Sequence, residues 1–119
     1  MKILIVDDDS AMIDALTANL KIMGGHEVLT AFSGETAVPI LKTHPDIDLC
    51  ITDMDMQDMD GLMLLAEMNK MDHQAERWLM SGRMDQEMMS IALDIGAEEG
   101  LLKSDVPEKL KEKGLIPPR

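Results

Sequence analysis

Five short apolar runs, at residues 3–6, 28–32, 49–52, 78–80 and 101–102, alternate with stretches whose apolar residues recur at helical spacing. This alternation limits the fold more than any other feature. Near-continuous apolar runs of strand length suit strands buried on both faces. Ile13, Leu16, Leu20 and Met23 are spaced 3, 4 and 3, and Gly24-Gly25 then ends that helix. Ser33 can cap a second helix carrying Ala37, Ile40 and Leu41, which Pro39 should weaken or kink. Asp60 can cap a third, with Leu64, Leu65 and Met68 on one face, and Asp85 a fourth, with Met88, Ile91, Ala92 and Ile95 facing the core. Pro107 suits the first turn of a fifth helix, which Gly114 and Pro117 end early. A strand–helix unit repeated five times predicts an α/β doubly wound fold, a parallel sheet with helices on both faces and right-handed crossovers.

The 119 residues make one domain, 1–119, with residues 115–119 read as a tail or the start of a linker. No apolar run reaches the ~18 residues that span a bilayer. The first run stops at Asp7-Asp8-Asp9, too short for a secretory leader, so a cytoplasmic protein is expected. A net charge of -12 argues against direct nucleic-acid binding and against docking on anionic membranes. The lone Cys50, inside Leu49-Cys50-Ile51, excludes an internal disulfide and reads as a buried, inert thiol. His26, His44 and His73 are scattered and do not suggest zinc. Most of the 13 methionines are expected to fill the core, and Trp78 is read as a core residue that could report metal binding.

Open parallel sheets bind ligands beyond the carboxyl ends of their strands. There the first run is followed by Asp7-Asp8, the third by Asp53, the fourth by Ser81 and the fifth by Lys103. Acids are common turn residues, but this joint placement at one edge calls for a chemical reason. Carboxylates ~4 Å apart repel by roughly 4 kcal/mol per pair at an intermediate dielectric, so such a cluster either protonates or binds a cation. An all-oxygen donor set favours Mg²⁺ or Mn²⁺. With a metal on one side and Lys103 on the other, an aspartate of the cluster could attack phosphorus and carry the group as an acyl phosphate.

The motifs Ile3-Leu4-Ile5-Val6-Asp7-Asp8-Asp9, Asp53-Met54-Asp55-Met56-Gln57-Asp58-Met59-Asp60-Gly61, Leu79-Met80-Ser81-Gly82 and Gly96-Ala97-Glu98-Glu99-Gly100-Leu101-Leu102-Lys103 resemble, in order and spacing, the receiver domain of response regulators. The resemblance covers nearly the whole chain and is of the chemotaxis-regulator type. It implies a flavodoxin-like (βα)5 fold with strand order 2-1-3-4-5. It also implies that Asp53 is the phosphoacceptor, with Ser81 as the switch hydroxyl and Lys103 contacting the phosphoryl group. Asp8 would be a direct metal ligand, Asp7 a ligand acting mainly through water, and the backbone carbonyl of Asp55 a further ligand. The implied partners are a sensor histidine kinase or phosphotransfer protein and an output protein or domain that the sequence does not identify. Homodimerisation through the fourth helix and fifth strand is open. No substrate other than the domain's own phosphoryl group is implied.

Three positions depart from the family pattern. Gln57 and Ser104 stand where prolines are usual, and Gly100 stands where an aromatic usually moves with the switch hydroxyl. Without a proline after it, the Lys103 peptide is either trans, with the lysine re-aimed, or strained. These departures raise an alternative, a degenerate receiver serving only as an interaction module. A third reading takes Asp53-Met54-Asp55 as the DxD of a phosphoaspartate phosphatase, but leaves Asp7-Asp8 unexplained. Asp55 and Arg83 are candidates for tuning phosphoryl lifetime by pairing across the site mouth. Met84, Met89 and Leu93 are candidates for an apolar partner surface.

Overall fold

The computed structural model describes residues 1–118 and, at Met23, the backbone only. The chain alternates β1 (Lys2–Val6), α1 (Ser10–Met23), β2 (Glu27–Ala31), α2 (Gly34–Thr43), β3 (Leu49–Asp53), α3 (Gly61–Lys70), β4 (Glu76–Ser81), α4 (Gln86–Asp94), β5 (Glu99–Leu102) and α5 (Val106–Glu112). A 3-10 turn, Lys103–Asp105, links β5 to α5. All strands are parallel, in the order β2-β1-β3-β4-β5, the flavodoxin-like arrangement that the resemblance implies. No helix among the described residues is long and apolar enough to cross a membrane.

Ser33, Asp60 and Asp85 cap α2, α3 and α4 by accepting from the amides of Thr36, Met63 and Met88. Each satisfies an amide that the first helical turn leaves without a partner. Asp9 does the same for α1 through Ala11, a role the sequence reading did not give it. Pro39 neither breaks nor ends α2, which runs on to Thr43. Its ring lies on the exposed side, where water can serve the carbonyl that loses its amide partner. Phe32 is not the end of the second strand. Pairing stops at Val6 and Ala31, and Phe32 turns out to solvent, 55% exposed.

Alternation along the buried strands splits the interior. Ile3, Ile5, Ile51, Trp78 and Met80 pack with Ile13, Leu16 and Leu20 of α1 and with Val106 and Leu110 of α5. Leu4, Val6 and Cys50 point the other way, toward Ala37, Leu41, Leu64 and Met68 of α2 and α3. A smaller group, Leu65, Leu79, Ala92 and Ala97, sits beneath α4. Burial pushes the Cys50 thiol up to about 12, the inert state expected of it. Met23, the last position of the α1 stripe, has a side chain outside the described residues.

Two expectations change here. Leu115 and Ile116, read with residues 117–119 as a tail or linker start, are buried in the α1–α5 cluster, while Arg119 lies outside the described residues. Ile91, expected to face the core from α4, is 44% exposed. The reason lies in β5. A Cβ on Gly100 would stand 3.5 Å from the Met89 Cα and 3.6 Å from the Ala92 Cβ, ordinary packing distances, so α4 lies against the strand along the side that carries Ala92. Ala92 alone in α4 is fully buried, and the larger side chains beside it stay outside.

Candidate functional site

Parallel pairing aligns the strand tips, Val6 with Thr52, Asp53 with Met80 and Ser81 with Leu102. Residues just beyond the tips are therefore brought to one edge of the sheet. Carboxylate oxygens of Asp7, Asp8 and Asp53 lie within 4.8 Å of one another, the one such acidic grouping among the described residues. Asp7 and Asp53 are buried, at 0% and 2% exposure, while Asp8 is exposed. The Lys103 ammonium lies 3.0 Å from Asp7 Oδ2 and 3.1 Å from Asp53 Oδ2. The peptide bonds of the described residues are all trans, that after Lys103 included, and the 3-10 turn still delivers the lysine to the acids.

Electrostatics sets the state of this group. Burial, aided by the Asp7 charge, raises Asp53 to about 6 against the opposing pull of the Asp55 amide and Lys103. Burial works against the Lys103 ammonium, but its two carboxylate partners outweigh it and hold its pKa above the usual lysine value. One lysine cannot neutralise three acids. Asp7 Oδ1 accepts the Asp9 amide at 3.0 Å, whereas Asp7 Oδ2 has the lysine's charge nearby but no well-directed hydrogen bond. A buried carboxylate oxygen left in that condition, among other carboxylate oxygens, is a donor set that fits a hard divalent cation. Asp8 also lines a cleft of about 340 Å³ with Met54, Asp55, Met56, Gln57 and Asp60.

The loop after β3 closes on this cluster. The Asp55 amide donates to Asp53 Oδ1 at 3.2 Å, and the Gly61 amide to the Met54 carbonyl at 2.9 Å. Gly61 is required there, since a Cβ would lie 2.5 Å from both the Asp53 carbonyl oxygen and Leu79 Cδ1. The buried Ser81 hydroxyl donates to Asp55 Oδ2 at 3.2 Å and accepts from the Arg83 amide at 3.2 Å. It faces Asp55 rather than Asp53.

Asp7, Asp8, Asp53, Asp55, Ser81 and Lys103 are thus brought together. Arg83 is not joined to them through its charge. It and Asp55 form no ion pair: Asp55 Oδ2 takes the Ser81 hydroxyl, and Arg83 enters only through its backbone amide. Met89 and Leu93 are 40% and 49% exposed, while Met84 is half-buried, its Sδ 3.6 Å from where a Gly100 Cβ would stand. Trp78 is buried as expected, paired with Ile51 two positions before Asp53, and it also lines a cleft with Met1, Asp48 and Glu76. Sequence reasoning missed Asp58, which reaches the start of α2, where Glu35 donates its amide at 3.1 Å.

A sequence profile of the response regulator receiver domain matches residues 3–114. The chain is 32% identical over 112 residues to the chemotaxis protein CheY of Bacillus subtilis, covering 93% of this chain and 92% of that one. It is 30% identical over 115 residues to a CheY homologue of Campylobacter jejuni, covering 95% and 88%. Against the response regulator protein FleR of Pseudomonas aeruginosa it is 42% identical over 65 residues, 55% of this chain but only 13% of that protein. Among solved structures it is similar to the receiver domain of NarL from Mycobacterium tuberculosis, with a TM-score of 0.86, 23% identity and coverage of 96% and 92%, a likeness of fold. It is also similar to a chain of the CheX–CheY–BeF3–Mg²⁺ complex of Borrelia burgdorferi, with a TM-score of 0.83, 27% identity and coverage of 96% and 89%.

Proposed function

This chain belongs to the response regulator receiver domain family, and from that premise we propose that Asp53 accepts a phosphoryl group in the cytoplasm from a histidine kinase or phosphotransfer protein. The observation that carries the reading is the buried Asp53 carboxylate at the tip of β3, 3.1 Å from Lys103 and grouped with Asp7 and Asp8. An Asp53 carboxylate oxygen bonds to phosphorus as the bond from phosphorus to the donor's imidazole nitrogen breaks. Asp7, Asp8, Asp53 and the backbone carbonyl of Asp55 are the groups that would hold Mg²⁺ or Mn²⁺. The metal, when bound, would offset charge on the phosphoryl oxygens. Lys103 supplies a fixed positive charge on the other side and keeps the incoming oxygens oriented. Attack of water on phosphorus returns the carboxylate and releases inorganic phosphate.

Ser81 is the switch. Its hydroxyl is held by Asp55 and leaves that partner to donate to the phosphoryl oxygens, carrying the start of the β4–α4 connection with it. The new charge biases a two-state equilibrium that Met89 and Leu93 on α4 present to a partner. Gly100 leaves no aromatic to move with the hydroxyl, so transmission passes through the close α4–β5 contact itself. The interaction-module reading has less support, because such a module has no need for two buried acids short of positive charge. In acetyl phosphate with Mg²⁺, intact mass should rise by one phosphoryl group, and Asp53→Asn should abolish the gain. No gain in the parent, or a gain that survives Asp53→Asn, would overturn the assignment.

A further inference from the structure

The loop between β3 and α3 carries Asp55, and its tip is tied to another element. Asp58 accepts the Glu35 amide at 3.1 Å, 23 residues away in sequence, at the N-terminus of α2. The amides of Met59 and Glu35 hold its carboxyl below the usual carboxylate range. Beside it, Met59 covers Gly34, where a Cβ would come within 2.7 Å of Met59 Cβ and 2.9 Å of its carbonyl oxygen. At the loop's other end the Asp55 amide meets Asp53 Oδ1. A charged side chain at a helix N-terminus gains from the unpaired amides and the dipole there, so the tie favours one loop geometry.

We propose that Asp58 is a positioning residue for the metal: by docking on the start of α2 it holds the 54–60 loop so that Asp55 stays beside Asp7, Asp8 and Asp53. The inference rests on the divalent-cation reading of that site. Asp58 is outside the ligand set and acts through the backbone it fixes. The same bond gives the site a mechanical link to α2, whose Glu35 lines a cleft with Asp8 and Asp58.

The test uses Mg²⁺ titrations by calorimetry on the parent, Asp58→Ala and Asp58→Asn, with amide hydrogen exchange on the metal-free proteins. Asp58→Ala should weaken Mg²⁺ binding by about 10-fold, the lower end of what losing an orienting partner costs. Asp58→Asn keeps an acceptor oxygen for Glu35 and should restore most of the affinity. Exchange at the Asp55 and Glu35 amides should quicken in Asp58→Ala and stay near parental rates in Asp58→Asn. Parental affinity in Asp58→Ala would overturn the proposal, as would equal losses in both variants, which would assign the effect to charge. A parent that binds no Mg²⁺ would sink the metal reading instead, and unchanged exchange at the two amides would then sink the docking on its own.

Discussion

At the amino end of the sheet Lys2 reaches Asp46 at 3.0 Å, Glu27 at 3.7 Å and His44 Nδ1 at 3.0 Å; at the carboxyl end Lys103 reaches Asp7 at 3.0 Å and Asp53 at 3.1 Å. The residue types and distances are nearly the same. Burial is not. The Asp46 and Glu27 side chains are 68% and 63% exposed, against 0% and 3% for Asp7 and Asp53. Water stabilises the first pair whether or not Lys2 is present. The second pair depends on its lysine, and one lysine is too few. A lysine among acids is therefore scaffolding at one edge and an unbalanced charge at the other, with desolvation making the difference.

The largest contrast should come from removing each lysine. In metal-free protein, Lys103→Ala should destabilise by about 2 kcal/mol, below the cost of breaking a fully buried pair because the ammonium is partly exposed. Lys2→Ala should cost less than about 1 kcal/mol. Urea melts would read both, and equal losses would break the comparison. Saturating Mg²⁺ should recover much of the first loss and none of the second.

A pH series sharpens it. Asp53 is raised from 3.8 to about 6 in the fold, so its contribution is fully present below 3.8 and is lost as pH rises through about 6. Asp53→Asn stays neutral throughout. Its stability relative to the parent, without metal, should climb between those values and then level off. A difference independent of pH from 4 to 7 would mean that Asp53 is not held up by its surroundings. The smallest effect is expected at the other edge. Lys2 lowers the Asp46 pKa, but Asp46 is so exposed that Asp46→Asn should leave the melting temperature at pH 7 unchanged.

Much of this was legible in the sequence because it depends on local pattern. Apolar runs ending in Asp7-Asp8, Asp53, Ser81 and Lys103 placed those groups at strand tips, and a parallel sheet leaves them one edge to share. Caps at Ser33, Asp60 and Asp85 were legible for the same reason, each acting within three residues of itself. What escaped depends on contacts between distant segments. The side of α4 that faces the sheet depends on how the helix packs on β5, where Ala92 lies against Gly100, and spacing alone cannot rank Ile91 against Ala92. Asp55 was free to meet either Arg83 or Ser81 until the loop's course was known. Asp58 read as one acid among many, because its partner belongs to a helix that precedes it by 23 positions. The burial of Leu115 and Ile116 likewise required knowing where α1 and α5 leave room.

The division of the interior also bears on how such a sequence can drift. Ile3 and Ile5 belong to one packed interior and Leu4 and Val6 to the other, although they are chain neighbours. Volume changes under α1 and α5 need compensation among their own contacts and not beneath α2 and α3, so epistasis should be largely confined to a face. The strand backbones are the one piece common to both interiors. They also carry the charged groups at their tips, which ties the spacing of those groups to both faces at once.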